Sequence, residues 1–156
     1  RKILDHGNMA DHNEYKWVDE GRIKDYNFLK PYLESYEKRI SILCSLVVEL
    51  GSKPIFVTNT NTLYRLQDGK IIKGSDARMG YFGREINGYD YGKLYHYFHD
   101  VCEKFCIEND IIFFNLASEI DFDYKKDFYD TVHVTDKGAK KVGDYIYSKL
   151  LKLYVL

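Results

Sequence analysis

The chain has 156 residues, of which 45% are hydrophobic and 30% are charged, and its net charge at pH 7 is −1 with neutral histidines. This length and composition predict one globular domain, and the balanced charge gives no electrostatic case for binding nucleic acid or an anionic membrane. No apolar run approaches the roughly 20 residues that are needed to span a bilayer.

The first third of the chain alternates apolar runs with a long helical pattern. Lys2 to Asp5 carries Ile and Leu side by side, which predicts a short buried parallel strand. Residues 28–50 carry apolar side chains at helical spacing and stop before Gly51, which predicts a helix. Pro54 to Thr58 is short and apolar, which predicts a second strand, and a polar loop follows it.

Residues 59–90 are too long for a simple connection between a strand and a helix. Two short runs, 63–66 and 70–73, flank an Asp68-Gly69 pair, which predicts a β-hairpin insertion. The remainder, up to Tyr91, is rich in glycine and aromatic residues. We interpret it as an aromatic loop over the site, either a lid or simply a long surface loop.

The last part of the chain continues the alternation. The pattern predicts a helix over 94–107, a strand over 111–116, a loop over 117–129 and a final helix capped by Thr135. Strands that alternate with helices predict the α/β class. We expect a flavodoxin-like, three-layer α/β/α fold with a parallel sheet.

Asp130 and His133 are the candidate catalytic residues. They lie in Phe-Tyr-Asp-Thr-Val-His-Val-Thr-Asp-Lys-Gly, residues 128–138, after a predicted strand and directly before a helix. A carboxylate three residues before a histidine can hold one ring nitrogen and leave the other free to accept a proton. The alternative is an aspartate that caps or turns the chain beside a helix-adjacent histidine. The strand, loop and helix context favours function.

No serine of the chain has the surroundings of a nucleophile. Ser118 follows the third predicted strand without a nucleophile turn, and Ser75 lies inside the insertion rather than at a strand-to-helix turn. Ser52 follows the stop of a helix, and four other serines lie within predicted helices: Ser35, Ser41, Ser45 and Ser148. We therefore expect the 156 residues to be the carboxyl-terminal part of a longer protein whose missing segment carries the nucleophile.

The block from Asp130 to Gly138, with the apolar helix behind it, resembles the last motif block of the SGNH/GDSL hydrolase family. The resemblance implies an SGNH-type sheet without its amino-terminal strands, a Gly-Asp-Ser block outside the chain, and no cofactor. It also implies an oxyanion hole, for which Gly7 and Asn8 are the candidates. Gly7 matches the family's Gly-x-Asn-Asp block, whereas Asn8 stands one position early and Met9 occupies the expected place. An Asx turn at a strand end is the alternative for Asn8.

The implied activity is hydrolysis or transfer of an acyl ester, with O-deacetylation of a carbohydrate as the expected substrate class. Residues 1–156 would then form one partial hydrolase domain with an insertion at about 59–90. The alternatives are a non-catalytic carbohydrate-binding relative and an unrelated flavodoxin-like domain that binds an anion or a flavin. The expected partner is a small-molecule or glycan ester, and the oligomeric state stays open.

The cysteines and histidines of the second long helix do not predict a metal site. His96, His99, Cys102 and Cys106 have helical spacing, but structural zinc usually draws ligands from two elements. The chain has three cysteines, Cys44, Cys102 and Cys106, and all of them lie in predicted helices. Free thiols slightly favour the cytoplasm over an oxidising compartment, and localisation is otherwise open. The charged stretches 124–127 and 140–141 are expected to be solvated faces.

Overall fold

The computed structural model describes residues 15–154 of the chain. The predicted strand from Lys2 to Asp5 and the oxyanion-hole candidates Gly7 and Asn8 lie outside these residues. The elements in chain order are β1 Trp17–Val18, α1 Lys30–Glu49, β2 Ile55–Val57, β3 Tyr64–Gln67, β4 Lys70–Ser75, β5 Met79–Tyr81, β6 Arg84–Ile86, α2 Gly88–Glu108, β7 Ile112–Phe114, α3 Leu116–Glu119 and α4 Asp136–Tyr154. A short 3-10 turn, Asn27–Leu29, precedes α1.

The strands between residues 15 and 154 form three small sheets, and only one of these is parallel. β2 pairs with β7 in parallel over three residues each, with Phe56 opposite Phe113. β1, β4 and β3 form an antiparallel sheet in that order, and β5 pairs with β6 in the antiparallel direction. The predicted flavodoxin-like, three-layer fold with a parallel sheet is therefore wrong, and the protein is a mixed α/β structure with mostly antiparallel sheets.

Turn chemistry in the segment between β2 and α2 accounts for the antiparallel sheets. Asp68 and Gly69 have φ angles of 50° and 72°, and Phe82 and Gly83 have φ angles of 50° and 70°. Two consecutive residues with positive φ make the tight turn that joins antiparallel strands. The chain therefore doubles back twice in this segment, and β2 and β7 alone remain for parallel pairing among the described residues.

The aromatic segment that was interpreted as a loop over the site is the β5–β6 hairpin. Phe82, at the turn, lies with its ring centroid 4.4 Å from that of Tyr32 on α1 and 6.4 Å from that of Phe98 on α2. The hairpin thus packs on the two long helices, and its turn is anchored by aromatic contacts.

α1 and α2 cover one face of the β2–β7 pair. Their core is built from five buried residues and the two paired phenylalanines of the strands: Ile40, Cys44, Cys102, Phe105, Cys106, Phe56 and Phe113. All three cysteines are unpaired. Burial raises the pKa of the Cys106 thiol to about 12, so this thiol is protonated and acts as a small apolar side chain.

A second core lies under α4 and supports the candidate site. Leu116, Phe122 and Phe128 are buried in it, and Val134, Val142 and Tyr145 pack against them. Between residues 15 and 154, no helix has the length and apolar character that crossing a membrane requires. No group of three or more His, Cys, Asp or Glu side chains in this part of the chain could hold a metal ion.

Candidate active site

The structure brings the side chains of Asp130 and His133 into direct contact. Nδ1 of His133 lies 2.6 Å from Oδ2 of Asp130. The other carboxylate oxygen accepts hydrogen bonds from the backbone N–H groups of Val132, at 2.8 Å, and of His133 itself, at 2.7 Å. The side chains of Asp130 and His133 are 37% and 64% exposed, so the pair lies at the surface.

The hydrogen bonds at Asp130 decide which ring nitrogen carries the proton. Partial burial raises the pKa of this carboxyl, but the N–H groups of His133 and Val132 and the His133 ring outweigh it and lower the net pKa below the usual value. An ionised carboxylate can only accept hydrogen bonds. Nδ1 of His133 therefore donates to Asp130, and the lone pair of Nε2 is free to accept a proton.

The turn that carries the pair is closed by its own backbone contacts and tied to the loop after β2. Its two sides meet in an antiparallel bridge between Phe128 and Val134, and the backbone N–H of Tyr129 donates to the carbonyl of His133 at 3.1 Å. The N–H of Thr62, in the loop after β2, donates to the carbonyl of Thr131 at 2.9 Å. The turn that carries the pair therefore contacts the polar loop that follows β2.

The start of α4 fixes the turn from the other side. Thr135 Oγ1 accepts a hydrogen bond from the N–H of Gly138 at 3.2 Å, which is the expected helix cap, and donates to the carbonyl of Lys126 at 2.8 Å. A Cβ atom at Gly138 would lie 2.1 Å from the carbonyl oxygen of Asp127. Glycine is required at this position because α4 approaches the loop between α3 and α4, residues 120–135, too closely for any side chain. We call this loop the site loop.

Asp127 is a buried charge that anchors the site loop to α4. Its side chain is 0% exposed, and it pairs with Lys141 at 2.5 Å and with Lys137 at 3.6 Å. Burial raises the pKa of Asp127, but the hydrogen bond from Lys141, the N–H of Asp123 and the lysine charges together lower the net pKa. The prediction that stretch 124–127 is a solvated face is therefore wrong for Asp127.

No serine among residues 15–154 hydrogen bonds to the His133 ring. Ser75 is completely buried in β4, and Ser118 Oγ donates to the side-chain oxygen of Asn115 at 2.8 Å. Within residues 15–154, the only side-chain hydrogen bond of the His133 ring is the one that Nδ1 makes with Asp130. The structure thus joins Nδ1 of His133 to Asp130 and gives Nε2 no hydrogen-bond partner among residues 15–154.

Sequence reasoning found Asp130, His133, Thr135 and Gly138 but missed the anchors of their loop. Thr62 lies in a loop that was predicted only as polar, and Asp127 stands in a charged stretch with nothing to mark it as buried. Comparison of the chain with known proteins found no similar protein: no family model, no curated protein and no solved structure matches it. The candidate site therefore stands on its residues and their geometry.

Proposed function

We propose that Asp130 and His133 are the acid–base pair of an ester hydrolase that works through a covalent acyl-serine. The observation that supports this proposal is the 2.6 Å contact between Nδ1 and the carboxylate, with Nε2 left open. Nε2 takes the proton of a serine hydroxyl while the serine oxygen attacks the acyl carbon of the ester. His133 then gives that proton to the leaving alcohol, and a water molecule repeats the sequence to release the acid.

Asp130 has a supporting role in this scheme. Its ionised carboxylate keeps the Nδ1–H tautomer of His133 and stabilises the imidazolium that forms when Nε2 is protonated. The two backbone N–H groups that bind its other oxygen keep the carboxylate in place without neutralising it. The exposure of the His133 ring allows a substrate to reach Nε2 directly.

The proposal requires a serine from outside these 156 residues, because none of the seven serines present hydrogen bonds to the His133 ring. The local resemblance of the block from Asp130 to Gly138 to the SGNH/GDSL family supports a serine nucleophile. That support comes from the motif and not from the sheet, which differs from the expected one. The oxyanion donors Gly7 and Asn8, and an acylated carbohydrate as substrate, belong to the same proposal.

A fluorophosphonate probe tests the mechanism on the full-length protein. The probe reacts with a serine hydroxyl only when a neighbouring base activates it, so we expect one labelled serine in a peptide that is not part of the 156 residues. The same preparation should hydrolyse p-nitrophenyl acetate. An unlabelled full-length protein that hydrolyses no ester but binds glycans would refute the esterase proposal and favour the binding alternative.

Substitutions at the pair give the matched kinetic test. We expect His133→Gln to lower kcat/KM by about 1,000-fold or more and Asp130→Asn by about 100-fold or more. His96→Gln is the control for the first change, because His96 hydrogen bonds only to the Gly92 carbonyl of its own helix. Asp144→Asn is the control for the second, because Asp144 pairs with Lys140 on the exposed side of α4. Equal activity in all four variants would contradict the proposal.

A further inference from the structure

Arg65 joins three segments that are far apart in the chain. Its guanidinium carbon lies 4.1 Å from the ring centre of Trp17 on β1 and 3.8 Å from that of Tyr124 in the site loop. Its Nη1 donates to the carbonyl oxygens of Thr62 and Tyr64, at 2.9 Å each. One side chain therefore contacts β1, the loop after β2 and the segment that leads to the candidate pair.

A β-bulge contributes to this placement. Arg65 pairs with Lys73 and Leu66 pairs with Ile71, so β4 contains one extra residue, Ile72, at this point. A bulge bends the strand and redirects the side chains beside it. The regular pairing of β3 with β4 is thus interrupted next to the residue that reaches toward Tyr124.

The surroundings of Arg65 do not resemble those of an ordinary surface arginine. Burial lowers its pKa, yet a guanidinium stays protonated at neutral pH. No carboxylate among residues 15–154 forms an ion pair with it. Two aromatic rings and two carbonyl oxygens stabilise the charge instead, and a planar guanidinium can satisfy both kinds of contact at once.

Two routes lead from Arg65 to the Asp130–His133 turn. On the first, Arg65 holds the carbonyl of Thr62, and the N–H of Thr62 donates to the carbonyl of Thr131 inside the turn. On the second, the Tyr124 ring stacks on the Phe128 ring, with centroids 5.8 Å apart and planes 9° apart. Phe128 forms the bridge with Val134 that closes the turn.

We propose that Arg65 is a positioning residue for the acid–base pair. By clamping the loop after β2 against Tyr124, it fixes the turn that keeps Nδ1 of His133 on Asp130 and Nε2 toward the substrate. The kinetic consequence of this inference rests on the proposed esterase function. The structural consequence, which is a single ring tautomer of His133, is independent of the esterase function.

Four variants distinguish the loss of the contacts of Arg65 from a general loss of stability. Arg65→Lys keeps the charge but loses the planar fork and the stacking. Tyr124→Leu removes one stacking ring and leaves the two carbonyl hydrogen bonds, and Tyr124→Phe keeps the ring. Arg84→Lys is the matched control, because the guanidinium carbon of Arg84, on the β5–β6 hairpin, lies 4.2 Å from the centre of the Phe28 ring, a contact that involves neither Tyr124 nor the turn.

The first readout is the ¹⁵N chemical shift of the two His133 ring nitrogens, correlated with ring carbon-bound protons at alkaline pH, where an imidazole is neutral. Loss of the signals in His133→Gln assigns them. We expect the unsubstituted protein, Tyr124→Phe and Arg84→Lys to show the Nδ1–H tautomer. Arg65→Lys and Tyr124→Leu should show a mixture of tautomers.

The second readout is hydrolysis of p-nitrophenyl acetate by the full-length protein. Small displacements of a catalytic group are costly, so we expect kcat to fall by about 10- to 100-fold in Arg65→Lys and Tyr124→Leu, with KM changed less than about twofold. Tyr124→Phe and Arg84→Lys should keep both constants.

Retention of the Nδ1–H tautomer in both Arg65→Lys and Tyr124→Leu would overturn the inference, whatever the activity. If Arg65→Lys loses cooperative unfolding, Tyr124→Leu against Tyr124→Phe decides the question. If the unsubstituted protein hydrolyses no ester, the esterase proposal fails while the tautomer comparison still tests the clamp.

Discussion

Two aspartates near the starts of long helices show how similar chemistry supports two different roles. Asp90, in the first turn of α2, is completely buried and accepts four hydrogen bonds, from Arg22 N, Ile23 N, Tyr26 Oη and Asn87 N, at 2.8–3.1 Å. Asp130, shortly before α4, accepts three, two from backbone N–H groups and one from the His133 ring.

The donors distinguish the two regions. Every partner of Asp90 is a backbone N–H or a tyrosine hydroxyl, and the pKa of that tyrosine is raised by burial and then by Asp90. Asp90 therefore fastens loop 21–26 to the start of α2, and nothing at this carboxylate is left to react. Asp130 instead binds a titratable ring whose second nitrogen is open. We infer that the buried carboxylate stabilises the fold and that the exposed one serves chemistry.

Removing the Asp90 carboxylate should have the largest effect on stability. In Asp90→Ala, three backbone N–H groups and the Tyr26 hydroxyl lose their acceptor in a buried place, which should cost about 4 kcal/mol of unfolding free energy. Urea unfolding measures this loss. Asp100→Ala, on the exposed side of the same helix, should change stability by less than about 0.5 kcal/mol. Similar losses of unfolding free energy in Asp90→Ala and Asp100→Ala would contradict the structural role of Asp90.

Asp127 should have an intermediate effect, because it is buried like Asp90 but belongs to the site loop. Asp127→Asn leaves Lys141 and Lys137 without their partner, and we expect a loss of about 2 kcal/mol at pH 7. Asp144→Asn, which breaks an exposed pair with Lys140, should cost less than about 0.5 kcal/mol.

The effect of Asp127 should depend on pH in a defined direction. Its pKa is lower in the folded chain than the usual 3.8, so folding favours the ionised form. Its contribution is complete above about pH 5 and declines as the pH falls through the lowered folded pKa. Urea unfolding between pH 7 and pH 2 should therefore bring wild type and Asp127→Asn closer together in acid. A constant difference over this range would contradict the assignment.

Of the three aspartates, Asp130 should have the smallest effect on stability, although we expect its effect on activity to be large. The carboxylate is partly exposed, so Asp130→Asn should lower the unfolding free energy by less than about 1 kcal/mol. The amide oxygen can still accept from the two backbone N–H groups. A loss as large as that of Asp90→Ala would mean that Asp130 is a structural residue and that its contact with His133 is incidental.

Local patterns in the sequence predicted the long elements well. The helix predicted over 28–50 is Lys30–Glu49, and the strands predicted over 54–58 and 111–116 are Ile55–Val57 and Ile112–Phe114. The hairpin turn at Asp68-Gly69 is also present. These features follow from periodicity and turn chemistry within a few residues, which is why they can be inferred without the structure.

Long-range pairing could not be predicted in this way. β1 is only two residues long, and it exists because Trp17 and Val18 pair with Ser75 and Gly74. α2 begins six residues before the predicted start, although Asn87 and Asp90 form a capping box that the sequence could have indicated. The short helix α3, Leu116–Glu119, takes the last residue of the predicted strand 111–116 and the first three residues of the predicted loop 117–129.

The candidate site likewise contains features that local sequence patterns indicated and features that depend on distant residues. The contact between Asp130 and His133 follows from a three-residue spacing in a loop before a helix, and this spacing together with its local context indicated it. The buried state of Asp127 and the aromatic contacts of Arg65 depend on residues 14 to 59 positions away. No local pattern distinguishes such charges from solvated ones, because their burial is decided by the packing of distant segments.

The close approach of α4 at Gly138 also limits how this protein can vary over evolutionary time. Of the two glycines near the start and the middle of that helix, Gly143 has nothing within 4 Å of an added Cβ, whereas Gly138 meets a main-chain oxygen. Position 143 can therefore drift freely among helix-forming residues. Position 138 can change only if the loop that carries His133 moves with it, so descendants that keep the contact between Asp130 and His133 should inherit this glycine.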